Sequence, residues 1–276
     1  MIKIGEVAGS TRLFEGRSCE QGRDHNGNIK VASANFLNKE GQLDVSWLPQ
    51  AAEKYKISAN IKDYVINEIP IVTVDVPNRN LDCFPHDEVT SFSVEAGRPV
   101  YQTFIGKPTY VDHDNRDPTK ARGVHFDARL QKVGNVWKIV VLAGWDKTKD
   151  YDLAMGILRR ERTGFSMGSL VPYTVCSIPG CGGVSTNGKI ACQHQKYGRG
   201  KGTIISPDDV VRLGKVTAEA ASTSRGFLTY EVCGGAVPGD VNGEFAGSSI
   251  QYFETSCVPV PADHSAHDRW AEPFAG

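Results

Sequence analysis

Gly123-Val124-His125-Phe126-Asp127-Ala128-Arg129-Leu130 alternates apolar and polar residues, and an apolar run from Val136 to Leu142 follows it. Alternation of this kind is the mark of a strand, whose successive side chains point to opposite faces. Upstream, Val100 to Ile105 is rich in strand formers. Downstream, Leu170-Val171-Pro172-Tyr173-Thr174-Val175, Phe227 to Val232 and Ser249 to Val258 read as further strands. From about residue 100, strands therefore dominate.

Helix signals are fewer. Leu48 to Tyr55 reads as a short helix with a proline near its start. Tyr151 to Leu158 reads as another, and Arg159, Arg160 and Arg162 at its end complement the helix dipole. Ser206-Pro207-Asp208-Asp209-Val210-Val211 offers an N-cap serine, a proline at the first helical position and early acids. Ile69 to Val76 is an extended run that stops at the turn Pro77-Asn78-Arg79-Asn80. Residues 1–30 are polar and glycine-rich and read as a mobile leader.

Composition narrows the classes. The chain has 276 residues, 40% hydrophobic and 23% charged, enough for one large domain or two small ones with a real core. A formal net charge of −1 gives no basic field to attract nucleic acid. No run of 18 apolar residues exists to span a membrane. Met1-Ile2-Lys3-Ile4-Gly5-Glu6 lacks a hydrophobic signal segment, so the expected location is the cytoplasm of synthesis. The seven cysteines are then expected to stay reduced or to bind metal.

Chemistry concentrates in a few places. Gly164-Phe165-Ser166-Met167-Gly168 sets a serine between glycines, which would leave room for a substrate backbone to approach. The alternative is a small-residue kink in a strand. A serine hydroxyl becomes nucleophilic when a base takes its proton. His113, in Asp112-His113-Asp114-Asn115, is the candidate base; the alternative is a surface-loop histidine. A third group should orient the imidazole, and Asp112, Asp127, Asp146, Asp152 and Glu254 compete. In Ile250-Gln251-Tyr252-Phe253-Glu254-Thr255-Ser256-Cys257-Val258, alternation sets Glu254 on one face with Ile250, Tyr252, Ser256 and Val258. A carboxylate among apolar neighbours needs a partner, and an imidazolium would be one. A lysine or arginine partner, or an exposed edge position, would serve as well. Arg159, Arg160 and Arg162 read as a solvated helix end, or as groups that hold a substrate carboxylate.

Cys176-Ser177-Ile178-Pro179-Gly180-Cys181 and Cys192-Gln193-His194 supply three thiolates and one imidazole, the ligand set of a closed structural zinc site. Four residues separate Cys176 from Cys181 and ten more precede Cys192, a looser spacing than Cys-x2-Cys. His264 and His267, beside Asp263 and Asp268, read as an exposed tail or a second metal site.

Taken as a set, Val111 to Asn115, Phe165-Ser166-Met167-Gly168, the cysteine/histidine insertion and Tyr252 to Ala262 resemble the prohead (head maturation) proteases of tailed bacteriophages, of the T-even type. The resemblance covers roughly residues 100–265. It implies an α+β fold of herpesvirus-assemblin type: a mostly antiparallel β-barrel with surrounding helices, here with a small zinc-knuckle insertion. The chain would divide into the leader 1–30, an N-terminal elaboration 31–100, a protease domain 100–265 carrying the knuckle at 176–200, and a tail 266–276.

The resemblance also implies a serine endopeptidase with His113, Ser166 and Glu254 as its catalytic set. In assemblins the third member is a second histidine, so Glu254 departs from that pattern. Zinc would be structural, on Cys176, Cys181, Cys192 and His194. The substrates would be phage scaffold or core proteins, the major capsid protein and the enzyme itself, inside the prohead in the host bacterial cytoplasm. Self-association would be compatible with this role; nucleic acid and membrane are not expected partners. T-even-type relatives cut after a glutamate that follows a hydrophobic residue two positions earlier. Ile4-Gly5-Glu6, Leu13-Phe14-Glu15 and Ile66-Asn67-Glu68 fit that rule, and the first two lie in the leader, so self-cleavage after Glu6 or Glu15 is expected. Two other functions fit parts of the sequence. One is a metal-dependent hydrolase using Asp112, His113, Asp114 and His125 or the C-terminal histidines, although no His-Glu-x-x-His is present. The other is a non-catalytic structural capsid or scaffold component.

Overall fold

A computed structural model describes residues 2–3, 42–178, 181, 183–186, 192, 202, 204–206, 211, 227–234, 250–263, 265–266 and 271–273. The fold is α+β, mostly strands with few helices. Two compact units share the chain discontinuously: Met1–Thr73 with Tyr101–Ser169 and Tyr252–Gly276, and Val74–Val100 with Leu170–Gln251.

The first unit is built on a seven-stranded sheet that curls into a half-barrel. Its strands are β1 (Tyr64–Thr73), β2 (Pro108–Val111), β3 (Gly123–Val133), β4 (Val136–Asp146), β5 (Phe165–Leu170), β6 (Gln251–Cys257) and β7 (Ala271–Pro273), in the order β5-β6-β2-β3-β4-β1-β7. The pairs β2–β3, β3–β4, β4–β1 and β1–β7 are antiparallel. The pair β6–β2 is parallel, with Ser256 beside Tyr110 and Cys257 beside Val111.

The alternating stretch and the apolar run became β3 and β4, the central hairpin. It closes through two residues, with Gly134 at a φ of 59° that suits glycine and the twist of a tight hairpin. Alternation separated polar from apolar residues here, but not exposed from buried ones. His125, Asp127 and Arg129 are buried along with their apolar neighbours. Each has a hydrogen-bond partner: His125 Nδ1 the Lys107 carbonyl at 2.9 Å, Asp127 the Ala128 amide at 2.7 Å, and Arg129 the Glu68 carboxylate of β1 at 2.7 Å, while His125 Nε2 is buried without one.

Helix α1 (Leu48–Tyr55) forms where the sequence placed it, with a proline in its first turn and Lys56 left-handed at its end. Its buried stripe of Leu48, Ala51, Ala52 and Tyr55 packs with Ile66, Tyr110, Val124, Phe126 and Leu142 of the sheet. A further helix, α2 (His86–Thr90), belongs to the second unit. Helix α3 (Tyr151–Leu158) is capped by Asp150, whose side chain accepts from the Leu153 amide, and it packs along β1, β4 and β7.

One expected strand is a helix. Val100–Phe104 forms a 3-10 turn despite its β-rich composition. That turn buries Val100 and Phe104, stacks the Phe104 ring on Tyr252 at 4.4 Å, and lets the Thr103 hydroxyl accept the Tyr252 amide. Tertiary contacts of this size outweigh strand propensity.

The second unit carries a four-stranded sheet ordered Val184–Thr186, Tyr173–Cys176, Glu231–Gly234, Asp82–Cys83, with the last pair parallel. The helix expected at 206–211 lies largely outside the described residues, as does the leader apart from Ile2–Lys3, which pair with Gln42–Leu43. Among the described residues, no helix is long and apolar enough to cross a membrane.

Candidate functional site

The site lies where β5, β6 and the turn after β2 meet. That turn, Val111 to Asp114, is closed by the Asp114 amide donating to the Val111 carbonyl at 3.0 Å. Its two central residues, Asp112 and His113, have φ of 49° and 57°. Two successive positive φ values are the signature of a type I′ turn. Each left-handed non-glycine residue costs about 1–2 kcal/mol, and Asp and His are among the side chains that tolerate it best. Contacts to β6 hold the turn in place. The Asp112 amide donates to the Cys257 carbonyl at 3.1 Å, and the His113 amide donates to the Ser256 hydroxyl at 3.1 Å.

The turn brings the His113 ring to Glu254, with Nδ1 2.7 Å from Oε1. Glu254 is fully buried while the His113 side chain is 41% exposed, so one end of the pair is sealed and the other meets solvent. A carboxylate only accepts, so Nδ1 carries the proton and the neutral ring offers Nε2 as its acceptor. The second Glu254 oxygen accepts the Ser256 hydroxyl at 2.7 Å. Hydrogen bonding to the Glu254 carboxylate holds the His113 pKa above its ordinary 6.5, outweighing the opposite pull of partial burial.

Ser166 reaches the same face through strand register. The Val258 amide donates to the Gly164 carbonyl at 2.9 Å. Across the same pair, a Cβ on Gly168 would stand 2.5 Å from Glu254 Oε1. Gly164 therefore lies opposite Val258 and Gly168 opposite Glu254, which makes β5 antiparallel to β6 and sets Ser166 opposite Ser256. Directly opposed side chains share a face, with Cβ atoms roughly 4.5–5.5 Å apart. Ser166 is buried, at 7% exposure, and its side chain makes no hydrogen bond among the described residues. Strand register thus sets Ser166 on the side of the β5–β6 pair where His113 meets Glu254, and Ser256, which had not been singled out as a site residue, bonds both Glu254 and the His113 amide.

The glycines around Ser166 do something other than leave space for a substrate. Gly164 lies against the Val258 carbonyl, where a Cβ would come within 2.5 Å, and Gly168 lies against Glu254 and Phe253. Their small size lets β5 press onto β6. Beside them is a cavity of about 270 Å³, lined by Asp112, Arg162, Thr163, Gly164 and Val258 among others. Arg160 has a φ of 61°, and Arg159 pairs with Glu161 at 2.8 Å; of the three arginines, only Arg162 lines the cavity.

Among the described residues, the groups proposed for a metal-dependent hydrolase do not converge. His125 is sealed, with Nδ1 on the Lys107 carbonyl, and burial pushes its pKa down to about 4. Asp114 pairs with Lys120 at 2.6 Å. His264 and His267 lie outside the described residues. The one metal-competent group among the described residues is in the second unit, where the sulfurs of Cys176, Cys181 and Cys192 lie within 4.8 Å of one another. Gly183 permits this approach, because a Cβ there would stand 2.8 Å from the Cys192 Cβ. Burial above all pushes the Cys176 thiol up to about 12, so a bound cation would have to displace its proton. Three converging sulfurs suit a soft or borderline metal ion. His194, the expected fourth ligand, lies outside the described residues.

No family model, curated protein or solved structure matches the chain.

Proposed function

We propose that the protein is a serine endopeptidase in which Ser166 is the nucleophile, His113 the general base and Glu254 the acid that orients the imidazole. The observation that carries this reading is the 2.7 Å hydrogen bond from His113 Nδ1 to buried Glu254, made on the face where strand register sets Ser166. A hydroxyl, an imidazole with a free Nε2 and a buried carboxylate are the parts acyl transfer needs. The left-handed turn at Asp112 and His113 adds support, since backbone strain of this kind gathers at functional positions.

In the reaction, the Ser166 oxygen bonds to the scissile carbonyl carbon as its proton passes to His113 Nε2. Glu254 balances the imidazolium. The C–N bond then breaks and the departing amine takes the proton from His113. Water attacks the acyl ester, gives a proton to His113, and the C–O bond to Ser166 breaks as the serine recovers its hydrogen.

The resemblance to T-even-type prohead proteases supplies the proposed setting: an assemblin-like barrel that cleaves scaffold and capsid proteins, and its own leader, inside the immature phage head in the host cytoplasm. Arg162 at the cavity, two residues before Gly164, would suit a substrate carboxylate and so a cut after glutamate. Zinc on Cys176, Cys181, Cys192 and His194 would be structural, tying together a segment of the second unit. Co-expression with a scaffold protein tests the reading. The wild-type chain is expected to process the scaffold and the Ser166→Ala variant to leave it intact; processing by the alanine variant would refute the assignment.

A further inference from the structure

We propose that Ser256 is a positioning residue of this site, a single hydroxyl that locks both the acid and the base; the proposal rests on the peptidase reading above. Ser256 is fully buried on β6, two residues after Glu254 and on the same face. Its hydroxyl donates to Glu254 Oε2 at 2.7 Å and accepts the His113 backbone amide at 3.1 Å. Both roles of the hydroxyl are therefore used, as donor and as acceptor.

Each bond has a distinct consequence. The bond to Oε2 sets the rotation of the Glu254 carboxylate, leaving Oε1 aimed at His113 Nδ1. The bond from the His113 amide pins a residue whose left-handed backbone would otherwise relax toward ordinary values. Ser256 also lies opposite Ser166 in the β5–β6 register, so the groups it holds stand on the side of the nucleophile. An alanine at this position would leave a buried carboxylate oxygen and the part-buried His113 amide short of a partner, and the base would drift. A displacement of about 1 Å at a reacting group can cost about 10²-fold in rate.

A fluorophosphonate probe with intact-mass readout tests the idea, because it acylates activated serines whatever the peptide preference. In that reaction the Ser166 oxygen bonds to phosphorus, fluoride leaves and the proton goes to His113. Ser256→Ala should be labelled about 10²-fold more slowly than wild type. It should also lose the downfield Nδ1 proton resonance that a histidine bonded to a carboxylate displays. Ser256→Thr, which keeps the hydroxyl, should recover both. Should the alanine variant fail to fold, Ser256→Cys, similar in size but a weak donor, replaces it in the same comparison. Labelling at the wild-type rate with the resonance intact would overturn the proposal. If wild type is labelled no faster than Ser166→Ala, the peptidase reading fails instead, and the histidine resonance still decides whether Ser256 positions the pair.

Discussion

Gly168 lies directly against the Glu254 carboxylate across the β5–β6 pair, so closely that a Cβ on residue 168 would sit 2.5 Å from Oε1 and 2.6 Å from the Phe253 ring. Real Cβ atoms do not approach this closely, so with any larger residue the Glu254 carboxylate, the Phe253 ring or β5 itself must shift, which disturbs the pairing with His113. Gly168→Ala is expected to lower fluorophosphonate labelling of Ser166 by about 10²-fold, with secondary structure kept by circular dichroism. An undiminished rate would mean that the glycine only packs strands.

On the proposed mechanism, the charge state of His113 sets the pH behaviour. Its pKa is raised by Glu254, and a general base works only when neutral, so activity should rise with pH through a midpoint above the ordinary histidine value of about 6.5. The stabilisation from the charged pair has the opposite dependence. It is complete below the unfolded-state value and fades as pH rises through the folded one. Glu254→Gln should move the activity midpoint to lower pH and cut the rate by about 10²–10⁴-fold. A pH–rate profile checks both, and an unmoved midpoint would separate Glu254 from the base.

His125 titrates the other way. Burial lowers its folded pKa to about 4, so as pH falls below about 6.5 the unfolded chain takes up the proton first. Stability is then lost progressively down to about pH 4, by on the order of 3 kcal/mol. Urea unfolding at several pH values should show a shallower acid loss for His125→Gln than for wild type. Equal slopes would mean that His125 is not held neutral.

Much of this architecture was legible in the chain. The helices at Leu48–Tyr55 and Tyr151–Leu158 carried a proline in the first turn and a run of arginines at the end, and both formed where those signals stood. The strand at Gln251–Cys257 and its inward-facing Glu254 followed from period-two alternation. What failed depended on contacts made at a distance. Val100–Phe104 has strand-like residues, but it coils because Phe104 stacks on Tyr252. The glycines beside Ser166 suggested space for a substrate, and β6 occupies that space. Ser256 left no sequence signal beyond sharing a face with Glu254, because its role needs the turn after β2 to fold back onto β6.

The cysteine cluster gives a test independent of catalysis. The purified protein is expected to hold one zinc ion per chain by mass spectrometry, and Cys181→Ser to lose it. Removing a structural zinc should lower Tm by about 10 °C or more. A metal-free protein of unchanged Tm would show that the three sulfurs converge without a ligand.

The central claim is that Ser166 is made nucleophilic by His113. The most direct measurement is the site and pH dependence of fluorophosphonate labelling, mapped by peptide mass spectrometry on wild type, Ser166→Ala and His113→Ala. The account predicts a single adduct on Ser166 in wild type, none in Ser166→Ala and a rate lowered by at least about 10³-fold in His113→Ala. An adduct on another residue, or a rate on Ser166 indifferent to His113, would contradict it.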